Sequence, residues 1–516
     1  MPSWRRQLDQ LPDRPPVLPL VPGPLSNGEF VPHPPSPADR LAAASVLRRV
    51  ERAAHRTGID RRRFLQSSAG VAASLLVFNA CSGDGADPGA GRPGAGTTTG
   101  PGGRFEVPEP EDVAACDRAL AGDELVFDVH THHVVPDGPW RERAPRIASM
   151  IEGLVPPGCA EGDPFRCLDR TAYLHDLFVA SDTTLALLSD VPNSGPEDAP
   201  VPWEAKRETR RLAEALAVPG ASRVLLHDVI APNFGDLGLR LDEMARSAET
   251  GEVTAFKVYT AWGPQRRGFA LDDPVVGIPV VEQARRLGVK TICAHKGLPL
   301  LEFDRSNNGP RDLVALSRLY PDMDFVVYHG AYERETTERA FAPGAGRAGV
   351  DSLVQALADH GVGPNENVWA ELGTTWREVL SNPTEAAHAV GKLLLHVGAD
   401  RVLWGTDAIW YGSPQPQIMA FRAFQISPEL QERHGYPALT DEVKRKVFGL
   451  NAAALFGVDV EATRCALDEG GLGAARAQHA ALVTEGAIPE PWRPRGPVTR
   501  REVLAWVGGG GGHWSA

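Results

Sequence analysis

The most regular feature of this chain is a series of short, continuously apolar runs that alternate with longer segments of helical periodicity. Such runs predict strands of a parallel sheet, because strands covered on both faces lose the alternation of polar and apolar residues. The predicted strands are residues 124–129, 183–189, 222–229, 253–259, 289–295, 323–329, 367–372 and 401–406. Helices are predicted between and after them at residues 203–216, 239–248, 275–287, 312–320, 350–359, 384–397 and 441–456. This succession of βα units predicts an α/β fold, a (β/α)8 TIM barrel.

Segments of different composition flank the predicted barrel, which spans residues 105–460. Residues 1–60 are Pro-rich and are predicted to form a disordered extension, with a helix plausible at residues 39–56. Residues 82–104 are rich in Gly, Pro and Thr, and they cannot bury enough apolar surface to order themselves, so we expect a flexible linker. Residues 461–516 are predicted to be a C-terminal extension that packs on the barrel.

Residues 61–81 resemble a twin-arginine export signal. Arg61-Arg62-Arg63-Phe64-Leu65-Gln66 precedes an apolar stretch that is too short to span a bilayer but has the length of a signal core. The segment ends in Phe78-Asn79-Ala80-Cys81, which resembles a lipobox, although a small aliphatic residue is usual in place of Phe78. The resemblance implies export through the twin-arginine translocon, either as a secreted protein or as an envelope lipoprotein anchored to the membrane through an acylated Cys81. The alternatives are an apolar segment that is cleaved elsewhere, or a plain helical hairpin.

The composition is that of a large globular protein. The chain has 516 residues, of which 42% are hydrophobic, and this is enough for a sizeable core. Its net charge of −13 and the absence of a basic block beyond Arg61-Arg62-Arg63 argue against nucleic acid as a partner. Cys159 and Cys167 are close in sequence and could pair in an oxidising compartment, whereas Cys293 lies in an apolar strand and is expected to be buried.

Residues that can bind a metal follow several of the predicted strands. His130 and His132 end the first strand, and side chains two apart in a strand point to the same side. His295 ends the fifth strand, His329 the sixth and Asp407 the eighth. Active sites of TIM barrels lie at the carboxyl ends of the strands, so these side chains are expected to face one mouth. Imidazole and carboxylate are ligands for zinc and similar divalent metals, and the set therefore predicts a metal-dependent enzyme.

Three features resemble motifs of the amidohydrolase superfamily. They are Asp128-x-His130-x-His132, the histidines that end the fifth and sixth strands, and Gly405-Thr406-Asp407. Residues 444–457, with Lys444, Phe448-Gly449 and Asn451-Ala452-Ala453, resemble the closing helix of the amidohydrolase-related (amidohydrolase 2) group, which also contains aminocarboxymuconate-semialdehyde decarboxylase and related decarboxylases. The resemblance covers about residues 120–460.

The resemblance implies roles for the candidate residues. His130, His132, His295 and Asp407 would hold one divalent metal, which we expect to be zinc, and Asp407 would also act as general base. His329 would be a second ligand or a catalytic base. Lys257, near the end of the fourth strand, would bridge two metals if it were carboxylated; otherwise it would pair with a carboxylate such as Glu371, or point at an anionic group of the substrate.

Substrate-binding residues are expected in the loops that follow the strands. Lys296 could bind a carboxylate of a small-molecule substrate. An aromatic wall is expected from four further loop residues, which are Trp262, Trp376, Trp410 and Tyr411.

Three functions remain open from the sequence. The leading prediction is metal-dependent hydrolysis of an amide, ester or lactone by a metal-activated water. The alternative is non-oxidative decarboxylation of an aromatic or unsaturated carboxylate, which uses nearly the same ligands. The third is a lipoprotein that holds a metal or ligand without turnover, but such a protein needs neither Asp407 nor His329.

Overall fold

Eight parallel strands form the centre of the molecule. The structure is a computed structural model, which describes residues 18–23, 34–81, 102–152, 163–218, 220–299, 303–344, 348–468 and 471–485. The strands are, in chain order, β1 (Phe127–Thr131), β2 (Leu185–Leu188), β3 (Val224–Ile230), β4 (Val253–Val258), β5 (Thr291–His295), β6 (Asp324–Tyr328), β7 (Val368–Glu371) and β8 (Val402–Leu403). Each pairs in parallel with the next along the chain. The predicted TIM barrel is confirmed.

The first and last strands are joined by backbone hydrogen bonds. The Val129 amide donates to the Trp404 carbonyl over 3.1 Å, and the Asp407 amide donates to the His130 carbonyl over 2.9 Å. The His132 amide donates to the Ala408 carbonyl over 2.6 Å, and a parallel bridge joins Thr131 to Ala408. Closure of the barrel therefore depends on the same stretches of chain that carry three of the predicted metal ligands.

Helices alternate with the strands as the sequence predicts. Those that follow β2 to β7 and cover the barrel include Trp203–Ala213, Leu237–Ala248, Gly277–Arg286, Arg311–Leu319, Val350–His360 and Pro383–Lys392. Gln415–Ala423, Pro428–His434, Asp441–Arg445, a π-helical turn at Lys446–Leu450 and Asn451–Leu455 follow β8. Shorter helices in the loops are Val113–Leu120, Trp140–Arg143, Pro145–Glu152, Arg170–Leu174 and Thr375–Val379.

Local sequence explains both kinds of element. All residues of β1, β2, β5 and β7 are buried, as expected for strands that are covered on both faces. Polar side chains begin several helices: Asp236 accepts from the Leu239 amide, and Asn382 accepts from the Glu385 amide. These caps fix the residue at which each helix begins. The loop between the strand and the cap is therefore available to line the mouth of the barrel.

The N-terminal region departs from the expected disorder over residues 37–57. Pro37–Thr57 is a helix that begins with a capping box between Ser36 and Asp39. Its Val46, Val50 and Ala53 are fully buried, and this burial against the rest of the molecule is the reason why the helix is ordered. The helix that was considered plausible at residues 39–56 is therefore present.

Two more helices, Arg61–Leu65 and Ser68–Cys81, cover the segment that resembles an export signal. Among the described residues, none of the helices combines the length and apolarity that crossing a membrane would need. Most of the predicted linker, residues 82–101, lies outside the described residues.

The C-terminal extension contacts the barrel as far as it is described. It contains the helices Val460–Asp468 and Leu472–Glu485, and Arg476 donates from Nε to the Phe178 carbonyl over 2.9 Å. Residues 486–516 lie outside the described residues. Cys293 is fully buried and Cys167 is disulfide-bonded, while its predicted partner Cys159 lies outside the described residues.

Candidate metal centre and active site

The structure brings the predicted ligands together at one mouth of the barrel. His130 lies in β1 and His132 directly after it, His295 ends β5, His329 follows β6 and Asp407 follows β8. Each of these five residues is at most 3% exposed. They meet because the carboxyl ends of parallel strands share one end of the barrel.

His130, His132 and Asp407 form a compact group of donor atoms. Asp407 Oδ1 lies 3.5 Å from His130 Nε2 and 3.4 Å from His132 Nε2. Ligand atoms about 2.1 Å from one zinc ion at tetrahedral corners are about 3.4 Å apart, so this spacing suits a common metal. The ring of His132 is placed by its contact with Asp407 Oδ1 and by stacking against Trp410.

A second pair of imidazoles lies beside this group. His329 Nε2 faces His295 Nδ1 at 3.2 Å. The outer nitrogens face carbonyl oxygens, His329 Nδ1 that of Gly373 at 2.7 Å and His295 Nε2 that of Leu298 at 3.0 Å. Carbonyl oxygens only accept, so both outer nitrogens carry hydrogens and both inner nitrogens present lone pairs when the rings are neutral. Two lone pairs at this distance require a cation between or beside them, either a proton or a metal ion.

Glu371, at the end of β7, orients His130. His130 Nδ1 lies 3.2 Å from Glu371 Oε2, which also accepts from the His329 amide over 3.1 Å. The Gly373 amide donates to Glu371 Oε1. Metal-binding histidines commonly hold a carboxylate on the nitrogen that faces away from the metal, and Glu371 has this place. From the sequence, Glu371 was named as a possible ion-pair partner of Lys257.

Two glycines make room for Glu371. A Cβ atom on Gly405 would lie 1.8 Å from Glu371 Oε1, and one on Gly373 would lie 2.4 Å from the same oxygen. No side chain can occupy either position without displacing the carboxylate. Close packing beside the metal ligands therefore explains Gly405.

Thr374 is a site residue that the sequence analysis did not single out. Its Oγ1 donates to Asp407 Oδ2 over 2.8 Å and lies 3.4 Å from the hydroxyl of Tyr411. Thr374, His329 and Asp407 all have positive φ, of 57°, 61° and 60°. Such conformations cost about 1–3 kcal/mol for residues other than glycine and cluster at functional sites. The signal available in the sequence was position alone, directly after β7.

Asp128 supports the site from behind. Its Oδ1 accepts from the amides of His130 and Thr406, each over 3.1 Å, and its Oδ2 accepts from the Thr406 hydroxyl. Asp128 therefore ties the first ligand strand to the loop that carries Asp407. Complete burial raises the pKa of Asp128 to about 7, against the opposing effect of these hydrogen bonds.

Burial controls the charge of the site. It lowers the pKa of His130, His132 and His295, and it lowers the pKa of His329 to about 4. Neutral imidazoles are the form that binds metals. Burial opposes ionisation of Asp407 too, but hydrogen bonds with His132 and Thr374 lower its pKa overall. The donor set is therefore neutral imidazoles with one carboxylate, which suits a divalent cation.

Lys257 also belongs to this cluster. It is fully buried, and its Nζ lies 3.1 Å from His130 Nε2 and 4.4 Å from the centre of the Tyr328 ring. A metal on His130 Nε2 would take the lone pair that this contact uses. The lysine would then turn toward another acceptor, or carry the carboxylate that the sequence analysis considered.

The predicted substrate-binding residues divide into two groups. Trp410 stacks on His132 with ring centres 5.8 Å apart, and the Tyr411 hydroxyl reaches Thr374. Trp262 packs on Phe303, whose ring lies 5.1 Å from that of His295. These aromatic residues therefore lie beside the ligands or one ring away.

Lys296 and Trp376 do not lie where the sequence predicted. Lys296 is fully buried, and its Nζ contacts Asp312 Oδ1 at 2.7 Å and donates to the Asn307 carbonyl over 3.1 Å. The charge of Lys296 is therefore paired with Asp312 inside the protein. Trp376 is fully buried and packs edge-on against the rings of Phe421 and Phe424, so it is part of the core. Both follow a strand, but their side chains turn away from the mouth.

Fold and site together define a metal-dependent enzyme on a TIM barrel. A sequence model of the amidohydrolase family matches residues 127–458, which contain every candidate ligand. The chain belongs to this family. A search of curated proteins finds no match.

Several solved structures share the fold at low identity. A 2,6-dihydroxybenzoate decarboxylase from Rhizobium is 14% identical with a TM-score of 0.41, and the match covers 66% of this chain and 100% of that one. A 5-carboxyvanillate decarboxylase from Sphingomonas paucimobilis is 17% identical with a TM-score of 0.42, covering 65% and 100%. A putative 2-pyrone-4,6-dicarboxylic acid hydrolase from Pseudomonas putida is 19% identical with a TM-score of 0.37, covering 66% and 100%.

These comparisons correct the leading prediction of hydrolysis. Decarboxylases recur among the similar structures, and decarboxylation is the activity that the sequence analysis held as its alternative. At such identities the likeness is one of fold. The case for a reaction of this chain is therefore made from its own residues.

Proposed function

We propose that this protein is a metal-dependent, non-oxidative decarboxylase of an aromatic or unsaturated carboxylate. The observation that carries the proposal is that the carboxylates of the centre already have partners. Asp407 Oδ2 accepts from Thr374, and Glu371 accepts from two backbone amides and contacts His130. A carboxylate held in this way is a good ligand or a good orienting group, but a poor base for the water that hydrolysis consumes.

His329 is the residue placed to carry a proton from solvent to the substrate. Its Nδ1–H is held by the Gly373 carbonyl, so any further proton lies on Nε2, which faces the centre of the site. In the proposed reaction the bond between the carboxylate carbon and its neighbour breaks, and the electron pair stays on that neighbour. Nε2–H of His329 protonates this carbon, carbon dioxide leaves, and solvent returns the proton to His329. The reaction needs no oxidant and consumes no water.

The surroundings of the ligands support a planar, apolar substrate. Trp410 lies on His132, and the rings of Tyr259 and Phe303 lie 5.4 Å and 5.1 Å from that of His295. The residues of the centre are at most 3% exposed. Decarboxylation spreads the localised charge of a carboxylate, so exclusion of water favours the transition state over the ground state.

We propose zinc as the metal, held by His130, His132, His295 and Asp407. An imidazole-rich set with one carboxylate supports zinc, although it also suits other first-row metals. When bound, a divalent cation supplies a Lewis acid that withdraws electrons from a substrate oxygen. Elemental analysis of the purified protein should give about one zinc per chain. Stoichiometric manganese instead would contradict the choice of metal and leave the proposed reaction standing.

The proposed reaction is tested by following the fate of the substrate carboxylate. A panel of aromatic and unsaturated carboxylates is incubated with the metal-loaded protein, and released carbon dioxide is measured. In deuterium oxide one deuterium should appear at the carbon that lost the carboxylate. In ¹⁸O-labelled water the organic product should carry no label. Stoichiometric ¹⁸O in a new carboxylate, from any ester, lactone or amide tested in parallel, would overturn the proposal.

His329→Asn is the matched variant for this test. An asparagine amide can still donate to the Gly373 carbonyl, but it has no proton that can be transferred. We expect a loss of about 10²-fold or more in kcat, the scale of general acid catalysis, with unchanged metal content. Carbon dioxide release at the original rate would remove His329 from the mechanism.

A further inference from the structure

The segment that resembles an export signal is built into the folded molecule. Its apolar core is the helix Ser68–Cys81, which contacts the helices Pro37–Thr57, Val113–Leu120 and Gln415–Ala423. The side chains with no exposed surface are Ala69, Val71, Ala72, Ala73, Ser74, Leu75 and Phe78. A helix that is apolar around its circumference belongs in a protein interior or in a membrane, and here it has an interior.

Asn79, next to the residue that fits a lipobox poorly, ties this helix to the barrel domain. Phe78 is fully buried. Asn79 donates from Nδ2 to the Phe105 carbonyl and accepts through Oδ1 from the Phe105 amide, each over 2.8 Å. The amide side chain thus pairs with the backbone of the short strand Gly103–Phe105, whose other edge pairs with Phe424–Ile426.

Residues that precede the signal-like segment reach the neighbourhood of the active site. Leu18 and Leu20 are 2% and 5% exposed, and Leu20 lines a small cavity together with Arg377 and Tyr411. The guanidinium of Arg377 lies 4.5 Å from the centre of the Tyr411 ring. The Tyr411 hydroxyl is 3.4 Å from Thr374, which holds Asp407. Residues 18–23 therefore lie beside Arg377 and Tyr411, and Tyr411 in turn lies next to Thr374.

We propose that the described N-terminal residues, 18–23 and 34–81, are a permanent structural part of this enzyme and are not removed as a signal. Removal at Cys81 would expose the apolar surfaces of Phe105 and of the helix Val113–Leu120 that this segment now covers. It would also leave the Phe105 backbone without its partner. It would also uncover Tyr411 and Arg377. The inference does not depend on which reaction the enzyme catalyses.

The direct test is to cut the chain between the two parts. A protease recognition sequence is placed within residues 82–101 of the full-length protein, and the purified holoenzyme is cleaved to completion. We expect both fragments to elute together in size-exclusion chromatography and to separate only in denaturant. Separation in native buffer, with a barrel fragment that stays folded by circular dichroism, would overturn the proposal. Precipitation of the barrel fragment on separation would support it, because it indicates that an apolar face has been uncovered.

A pair of variants tests the same point without cleavage. Asn79→Ala removes both hydrogen bonds to Phe105, whereas Ala80→Asn changes the exposed neighbouring position. The first should lower the melting temperature of the full-length protein by several degrees and the second should not. Equal melting temperatures would count against a structural role.

Intact mass measurement on protein recovered from an organism with a twin-arginine translocon should show residues upstream of Cys81, and a folded product that begins at Cys81 would overturn the proposal.

Discussion

At the scale of single residues, the site depends on which atom of each side chain faces inward. His130 contacts Glu371 through Nδ1, so Nε2 is the atom left for a metal. His329 and His295 are held by backbone carbonyls on opposite ring atoms, Nδ1 in one and Nε2 in the other. These outer contacts fix the tautomer of each ring. As a result, the lone pairs of His329 Nε2 and His295 Nδ1 face each other.

Adjacent histidines provide a matched test of the ligand assignment. His132 faces Asp407, whereas His133 contacts Thr209 over 2.9 Å and the Val134 carbonyl over 3.2 Å. Both side chains are buried, so each variant removes an imidazole from the protein interior. His132→Gln should reduce bound metal to well under half of the stoichiometric value, and His133→Gln should keep it, as measured by elemental analysis after dialysis. Equal metal contents would contradict the assignment.

Thr374 should act by positioning Asp407. Thr374→Val keeps the shape of the side chain and removes the hydrogen bond to Asp407 Oδ2. Hydrogen bonds to charged groups contribute about 1.5–3 kcal/mol, so kcat should fall about 10-fold or more while KM changes little. Thr374→Ser keeps the hydroxyl and should restore most of the activity. If the serine variant were as impaired as the valine variant, a packing role would replace the positioning role.

At the scale of elements, β7 and the turn after it contribute more to the site than the sequence suggested. Glu371 ends the strand, Gly373 accepts from His329 through its carbonyl, and Thr374 holds Asp407. None of these is a metal ligand in the proposed set. Together they fix the orientation of residues from three other strands, β1, β6 and β8.

The helix Pro383–Lys392 contributes a lysine to a buried ion cluster. Lys392, at the end of helix Pro383–Lys392, contacts the carboxylates of Glu338 and Asp351, and Lys392 and Glu338 are at most 1% exposed in their side chains. Lys392→Met would leave a buried carboxylate without its cation, which costs about 3–5 kcal/mol in free energy of unfolding. Lys446 pairs with Asp400 at 2.9 Å on the surface, so Lys446→Met should cost about 1 kcal/mol or less. Chemical denaturation of the two variants measures the difference. Equal losses would mean that the cluster does not stabilise the barrel.

At the scale of the whole molecule, three of the four proposed metal ligands lie where the first and last strands of the barrel meet. His130 and His132 come from β1 and Asp407 follows β8, and hydrogen bonds between their backbones join these two ends of the sheet. A metal held by these residues would therefore connect the first and last strands of the barrel. Binding and closure of the fold are expected to be coupled.

Metal removal should consequently lower the stability of the entire domain. A ligand present at about 1,000 times its dissociation constant stabilises the folded state by about 4 kcal/mol. Dialysis against a chelator should lower the melting temperature by several degrees, and stoichiometric zinc should restore it. Magnesium serves as the control, because it prefers oxygen ligands and should restore little. A melting temperature that does not respond to the chelator, with metal shown to be gone, would contradict the coupling.

The sequence by itself determined the barrel and the location of its centre. Apolar runs without alternation identify strands buried on both faces, and His130, His132, His295, His329 and Asp407 all stand at or just beyond the ends of such runs. The carboxyl ends of parallel strands meet whatever the details of packing, so periodicity and order along the chain were sufficient. The same local signals predicted that Lys296 and Trp376 face the mouth, and there they were wrong.

Only the tertiary structure decided which partner each of the other side chains has. Lys296 pairs with Asp312, Trp376 enters the core, and Thr374 finds Asp407 across the barrel. A local pattern does not encode such pairs, because each joins segments that are distant in sequence and depends on the direction of a loop. The segment at residues 61–81 is the largest case. Its residues resemble a signal in sequence, and in the structure its apolar helix packs against other apolar surfaces of the molecule.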